Sequence, residues 1–212
     1  EVTIFNAEPR VNYDRIMLSP VLSGEKSFDD IVIHGDAWYI QHGITLYKGC
    51  KVETIDRVNK TVSSVNGITE SYDRLVIATG SVPFIIPVPG ANLAGVVTYR
   101  DLDDVNTMMI AAKSKGRAVV IGGGLLGLEA AAGLNEQGMD VTVVHVQPTL
   151  MERQLDPAAG YLLGESMKAR GIKVMTSANT RQILGDKRVT GVEFADGSTI
   201  PADLVVMAVG IR

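Results

Sequence analysis

The stretch from Arg117 to Val144 narrows the choice of fold more than any other part of the chain. The apolar run Arg117-Ala118-Val119-Val120-Ile121 reads as a strand. It enters Gly122-Gly123-Gly124-Leu125-Leu126-Gly127, then the helix-forming run Leu128-Glu129-Ala130-Ala131-Ala132, then a second strand at residues 141–144. In such a G-x-G-x-x-G turn each glycine has its own task. Gly122 permits the tight turn, Gly124 lets a diphosphate reach the backbone, and Gly127 lets helix and strand pack closely. The free N–H groups and the dipole at the helix start attract phosphate. Gly123, Leu125 and Leu126 complete the turn as candidate binding residues, so a dinucleotide is the expected ligand. The carboxylate that grips the adenosine ribose of such a ligand is expected about 20 residues on. His145 stands there instead. Two readings stay open: His145, with Arg153 as the nearest arginine, meets a 2′-phosphate, or it is a strand-end residue without a nucleotide role. NADH and NADPH are therefore not distinguished.

The chain also repeats itself. Val2-Thr3-Ile4-Phe5 parallels Val141-Thr142-Val143-Val144, and Gly43-Ile44-Thr45-Leu46 parallels Gly171-Ile172-Lys173-Val174. Residues 73–80, ending Ala78-Thr79-Gly80, parallel residues 203–210, ending Ala208-Val209-Gly210. Asn66-Gly67 and Asp196-Gly197 place their glycines 13 residues before Gly80 and Gly210, and read as hairpin turns of type I′. Each copy is expected to run strand, helix, strand, hairpin, buried strand. Helices are expected at residues 101–113, 125–137 and 157–170, with Gly138 and Gly171 as left-handed helix ends. Pro83, Pro87, Pro89 and Gly90 make a stiff connection between copies. The strand leading into the glycine turn of copy two begins 24 residues before Val141, whereas only Glu1 precedes Val2. The expectation is an α/β chain of two Rossmann-like, three-layer nucleotide-binding domains, the first lacking its opening strand and glycine turn.

With 46% hydrophobic residues, 212 residues suffice for one or two cores. A net charge of −4 gives no reason to expect nucleic acid or an anionic membrane as partner. No apolar run reaches membrane-spanning length, and no signal peptide opens the chain. Cys50 is the single cysteine, which excludes an internal disulfide and a cysteine-rich metal site, and a cytoplasmic location is expected. The three histidines show no metal-site spacing, so no metal is expected.

Two nucleotide-binding copies in one chain resemble the flavin-dependent pyridine nucleotide-disulfide oxidoreductases. Tyr72-Asp73-Arg74-Leu75-Val76-Ile77-Ala78-Thr79-Gly80-Ser81 looks like the FAD-domain motif of that superfamily, and Gly122 to Glu129 looks like its NAD(P)H motif. Finer features resemble the large subunit of NAD(P)H nitrite reductases. They are Glu8-Pro9-Arg10, Tyr13-Asp14-Arg15, Leu18-Ser19, Gly210-Ile211-Arg212 and, most specifically, Leu150-Met151-Glu152-Arg153-Gln154-Leu155-Asp156.

The resemblance implies a partial FAD-binding domain at residues 1–100 and an NAD(P)H-binding domain at 101–212. It implies hydride transfer from NAD(P)H to FAD, then single-electron transfer to iron–sulfur and sirohaem centres on later domains of a longer chain, in nitrate assimilation. Arg15 and Ser19 would lie near FAD, and Ala78, Thr79 and Gly80 would pack backbone against it. Gly210, in the matching place of copy two, would serve the second nucleotide. Glu8 would reach the adenosine ribose, one residue beyond the Ala7 that stands where relatives carry an acid. Glu129 would border the nicotinamide as the candidate catalytic residue. FAD would be held weakly by this stretch alone, and the apolar edge beside the missing strand offers a second copy a place to pair as a homodimer. A rubredoxin or ferredoxin reductase and a non-catalytic redox module remain alternatives. A thiol-disulfide reductase would need a redox cysteine where Leu18-Ser19-Pro20 has none.

Overall fold

The computed structural model describes residues 1–211; Arg212, the last residue of the expected second domain, lies outside them. Along the chain run β1 (Val2–Asn6), α1 (Leu18–Ser23), α2 (Asp36–Gln41), β2 (Ile44–Lys48), β3 (Val52–Asp56), β4 (Thr61–Ser64), β5 (Thr69–Ser71) and β6 (Val96–Thr98). There follow α3 (Leu102–Ala112), β7 (Arg117–Ile121), α4 (Leu125–Glu136), β8 (Asp140–Val144), α5 (Pro157–Ala169) and β9 (Lys173–Met175). The last four strands are β10 (Thr180–Gly185), β11 (Val189–Phe194), β12 (Thr199–Pro201) and β13 (Leu204–Met207).

The chain forms two compact units. Unit 1 joins Glu1–Asp14 to Phe28–Gly80; unit 2 joins Arg15–Ser27 to the chain from Ser81 onward. The α1 segment joins unit 2 because of what it touches. Leu22 is fully buried, and a Cβ on Gly133 of α4 would lie 2.8 Å from its Cγ, so only glycine admits this helix crossing. The Gln137 amide then donates to the carbonyls of Leu22 and Ser23 at 3.1 and 3.0 Å, closing the end of α1.

In unit 2 five strands form a wholly parallel sheet in the order β6-β13-β7-β8-β9. Strands of such a sheet are covered on both faces, which is why Leu204–Met207 and residues 118–121 are uninterrupted apolar runs. The alternation of side chains splits β7 between the two faces. Val119 and Ile121 join Val205, Met207, Val192 and Phe194 in a core roofed by the antiparallel sheet β10-β11-β12. On the helical side Ala130, Ala131 and Leu134 of α4 are fully buried. Each fully buried Leu or Val contributes about 1.5–3 kcal/mol. The order β9-β8-β7-β13 places two strands on one side of β7 and β13 on the other. A crevice for ligands opens at the carboxyl ends of a parallel sheet where its strand order reverses.

The helices lie where the sequence predicts them. Asp101 caps α3 by accepting the Asp104 N–H at 3.0 Å. Asp156 caps α5 by accepting that of Ala159 at 2.8 Å, with Pro157 opening the first turn. Gly138 and Gly171 take the left-handed conformation. Both predicted hairpins form, but not with type I′ turns. Only Gly67 and Gly197 have positive φ, and Gly67 N–H donates to the Ser64 carbonyl at 3.0 Å, as Gly197 N–H does to Phe194. Each is a three-residue loop, a type I turn followed by a left-handed glycine.

In unit 1, β1 pairs in parallel with β2, opposing Ile4 and Leu46, and β3-β4-β5 form an antiparallel meander. The buried strand expected at residues 73–80 does not form. Residues 75–80 are irregular, and Val76 and Ile77 are 85% and 67% exposed. The corresponding β13 is a strand because β7 and β6 flank it; among the described residues, 75–80 have no such neighbours in unit 1.

Candidate functional site

The glycine turn joins β7 to α4. Gly122 has φ +126°, and a Cβ there would lie 2.2 Å from the Ala208 carbonyl oxygen, just past β13. A Cβ on Gly127 would lie 2.0 Å from the Gly122 carbonyl oxygen. Both positions are closed by backbone. Gly124, the helix N-cap, has φ −84° and ψ 179°, and a Cβ there would meet nothing within 4 Å. No side chain caps α4. The first N–H groups of a helix have no intrahelical partner. An open face beside them suits an anion, and Leu125 and Leu126 flank it, both exposed.

Gly123 fastens the turn to the end of β8. Its N–H donates to His145 Nδ1 at 3.1 Å, and its carbonyl accepts the Met151 N–H at 2.9 Å. A backbone N–H can only donate, so Nδ1 carries no proton and Nε2 does. Nε2 donates to Glu152 Oε2 at 2.9 Å. His145 is buried at 8% exposure, and both its ring nitrogens are engaged within the protein. Arg153 is exposed one residue beyond Glu152. Partial burial pushes the Glu152 carboxyl up, but the His145 hydrogen bond, its own N–H and the Arg153 charge hold it below the usual carboxylate range.

One turn into α4, Glu129 takes part in a second cluster. Its Oε2 accepts the Ser19 hydroxyl at 2.7 Å, and Ser19 Oγ lies 2.8 Å from the Tyr99 hydroxyl. Because Ser19 has a single proton and gives it to the carboxylate, Tyr99 is the donor to Ser19. The family resemblance implies a place near FAD for Ser19, and nothing in the sequence singles out Tyr99. These partners lie 110 and 80 residues apart in sequence, and no local pattern links them. Arg15 donates to the Arg100 carbonyl at 3.0 Å in the same unit. Burial pushes the Tyr99 phenol up to about 12 from an ordinary value near 10, and the Glu129 charge adds to the rise. A raised phenol pKa favours the folded state below pH 10, and that stability is lost as pH rises from about 10 through about 12. Tyr99→Phe is expected to cost about 1 kcal/mol at pH 8 and to flatten this alkaline loss. Urea unfolding of both proteins at pH 8 and pH 11 checks it; equal losses on going to pH 11 would assign the alkaline transition elsewhere.

The remaining predicted residues are dispersed. In unit 1, Glu8 accepts the Tyr13 hydroxyl at 2.8 Å and pairs with Arg10 at 3.4 Å. Ala78, Thr79 and Gly80 lie in the exposed irregular segment. Gly210, with φ +118°, follows β13 in unit 2, where its carbonyl accepts the Phe84 N–H at 2.9 Å. Cys50 is buried in unit 1 and donates to the Lys48 carbonyl at 3.4 Å. A cavity of about 540 Å³ near Gly116, Arg188 and Asp203 lies at the amino ends of β7 and β13, opposite the glycine turn. Among the described residues no group of three or more His, Cys, Asp or Glu is arranged to hold a metal, and no helix is long and apolar enough to cross a membrane.

A parallel sheet, an uncapped helix and a glycine turn closed at its first and third glycines but open at its second define a dinucleotide-binding domain of Rossmann type. The family model for pyridine nucleotide-disulphide oxidoreductases matches residues 1–212, and the chain belongs to that family. It is 51% identical over its whole length to a nitrite reductase [NAD(P)H] of Bacillus subtilis (strain 168), of which it covers 26%. It is 45% identical to an assimilatory nitrate reductase electron transfer subunit of the same organism, covering 28%. The chain thus spans about a quarter of the length of these relatives. Among solved structures it matches a ferredoxin reductase from Rhodopseudomonas palustris with a TM-score of 0.93 at 30% identity, covering all of this chain and 52% of that one.

Proposed function

We propose that this chain receives NADH or NADPH at the Gly122–Gly127 turn and presents the nicotinamide for hydride transfer, as the electron-entry part of an NAD(P)H nitrite reductase. The observation that carries the reading is the contrast within the turn: backbone closes Gly122 and Gly127, while Gly124 opens onto the uncapped start of α4. The relatives that match at 45–51% identity support the nitrite and nitrate branch. The reductase at TM-score 0.93 supports the alternative, a ferredoxin- or rubredoxin-reductase type flavoprotein.

The protein's part in such a reaction is binding, orientation and exclusion of water. The helix start would hold the diphosphate and Glu129, one turn further in, would border the nicotinamide. Ser19 and Tyr99 fix the Glu129 carboxylate. The family implies a flavin as hydride acceptor. Among the described residues of unit 1, no glycine turn joins a strand to a helix, so FAD's diphosphate has no cradle there. The residues present do not by themselves fit FAD. Iron–sulfur and sirohaem centres belong, on this reading, to other parts of the protein or to a partner.

Calorimetric titration with NADH and NADPH tests the reading. Saturable 1:1 binding of at least one nucleotide is the expected result. Absence of heat or saturation with either at millimolar concentration would remove the reading. On the intact protein, oxidation of NAD(P)H by an artificial electron acceptor separates an enzyme from a non-catalytic module.

A further inference from the structure

The dinucleotide reading leaves a gap at the ribose. A site of this kind recognises the adenosine ribose with a carboxylate at the end of the second strand. Here that position is His145, an imidazole turned inward. The carboxylate next in line is Glu152, and the protein fixes its place in three ways. His145 Nε2–H is given to Glu152 Oε2 at 2.9 Å, while Nδ1 is locked by the Gly123 N–H. The Met151 N–H is bound to the Gly123 carbonyl at 2.9 Å, and Met151 itself has φ +51°, a conformation that persists only where its surroundings enforce it. Leu150, 1% exposed, packs so closely that a Cβ on Gly123 would lie 2.6 Å from its Cδ2. The loop is thereby fastened to both backbone groups of one residue of the glycine turn. The residue that follows this anchorage, Glu152, keeps 33% of its side-chain surface exposed.

We propose that Glu152, held by His145, is the ribose-recognising carboxylate of this site and makes it select NADH over NADPH. The inference rests on the dinucleotide reading given above. A carboxylate accepts hydrogen bonds from the 2′- and 3′-hydroxyls of the adenosine ribose and repels the 2′-phosphate of NADPH. His145 is a positioning residue: it carries to the carboxylate the hydrogen bond that fixes its orientation, and touches no nucleotide itself. The rival arrangement, His145 and Arg153 around a 2′-phosphate, would need an imidazole nitrogen that the turn and Glu152 already occupy.

The test is titration of the wild-type chain, Glu152→Gln and Glu152→Asp with NADH and NADPH, followed by nucleotide fluorescence. The wild type is expected to bind NADH at least about 10-fold more tightly than NADPH. Glu152→Gln removes the charge, and is expected to weaken NADH about 10-fold while leaving NADPH unchanged or tighter, so that the ratio collapses to about one. Glu152→Asp keeps the charge on a shorter arm. It is expected to retain discrimination against NADPH while losing NADH affinity. Glu152 is exposed, so both variants are expected to melt within about 2 °C of wild type, which circular dichroism checks. Failure of the wild type to bind either nucleotide would overturn the dinucleotide reading itself. Binding of both alike, preference for NADPH, or an NADH preference that Glu152→Gln leaves unaltered would overturn the role of Glu152 and leave that reading standing.

Discussion

Replacing Gly124 by aspartate is expected to leave the fold intact and to weaken NADH and NADPH binding at least about 100-fold. The two halves of this expectation come from different properties of one position. For the fold, Gly124 has the extended backbone of a helix N-cap, and a Cβ there meets nothing within 4 Å. Aspartate is among the best residues at that position, since its carboxylate accepts N–H groups of the first turn and complements the helix dipole. It replaces a cap that has no side chain, so stability should hold or rise by a few tenths of a kcal/mol. For the ligand, the same carboxylate occupies the space and the N–H groups that the diphosphate requires. Two like charges about 5 Å apart repel by about 3 kcal/mol at an effective dielectric of about 20, and each 1.4 kcal/mol is tenfold in affinity. Calorimetry of nucleotide binding alongside thermal unfolding reads both halves. Wild-type affinity in a stably folded Gly124→Asp protein would place the diphosphate elsewhere.

The position was legible in the sequence because its chemistry is local. A strand, three spaced glycines and a helix act within a few residues of one another, and in the structure a Cβ would meet backbone at Gly122 and Gly127 and nothing within 4 Å at Gly124. The α3 and α5 spans were legible for the same reason. Ser19, Tyr99 and Glu129 were not, because hydrogen bonds spanning 80 and 110 residues leave no trace in spacing. The path of α1 into unit 2 was hidden likewise, since it depends on Leu22 meeting Gly133. Residues 73–80 are the instructive failure. Their pattern matches residues 203–210, yet 204–207 form a buried strand and 75–78 are exposed. A strand is stabilised by the ladders on either side, and periodicity reports a capacity for pairing rather than the presence of a partner. Glu152 lies between these cases. The sequence marked its heptapeptide as distinctive but gave no reason, and the hydrogen bonds from Gly123 through His145 supply one.

Replacing Gly127 by alanine is expected to damage the fold as severely as Gly124→Asp spares it. The added methyl would stand 2.0 Å from the Gly122 carbonyl oxygen and 3.0 Å from its carbon. These are backbone atoms of a turn that is itself held: Gly122 N–H donates to the Val144 carbonyl at 2.8 Å. A flexible side chain could swing aside, but here either the turn or the helix must move. If α4 moves, Ala130, Ala131 and Leu134, all fully buried, withdraw from the sheet. If the turn moves, Gly122 is pressed toward Ala208, whose carbonyl oxygen already lies 2.2 Å from where a Cβ on Gly122 would stand. Overpacking of a dense core typically costs 1–3 kcal/mol, and a clash between two backbone segments belongs at or above the upper end, about 3 kcal/mol. For a domain of this size that lowers the melting temperature by roughly 6–12 °C. Differential scanning calorimetry of Gly127→Ala beside Gly124→Asp reads the contrast: one glycine is present for the protein and the other for the ligand. A fall of less than about 2 °C in Gly127→Ala would mean that helix and turn are not held against each other as the distances imply, and that the shape of the anion site does not depend on this contact.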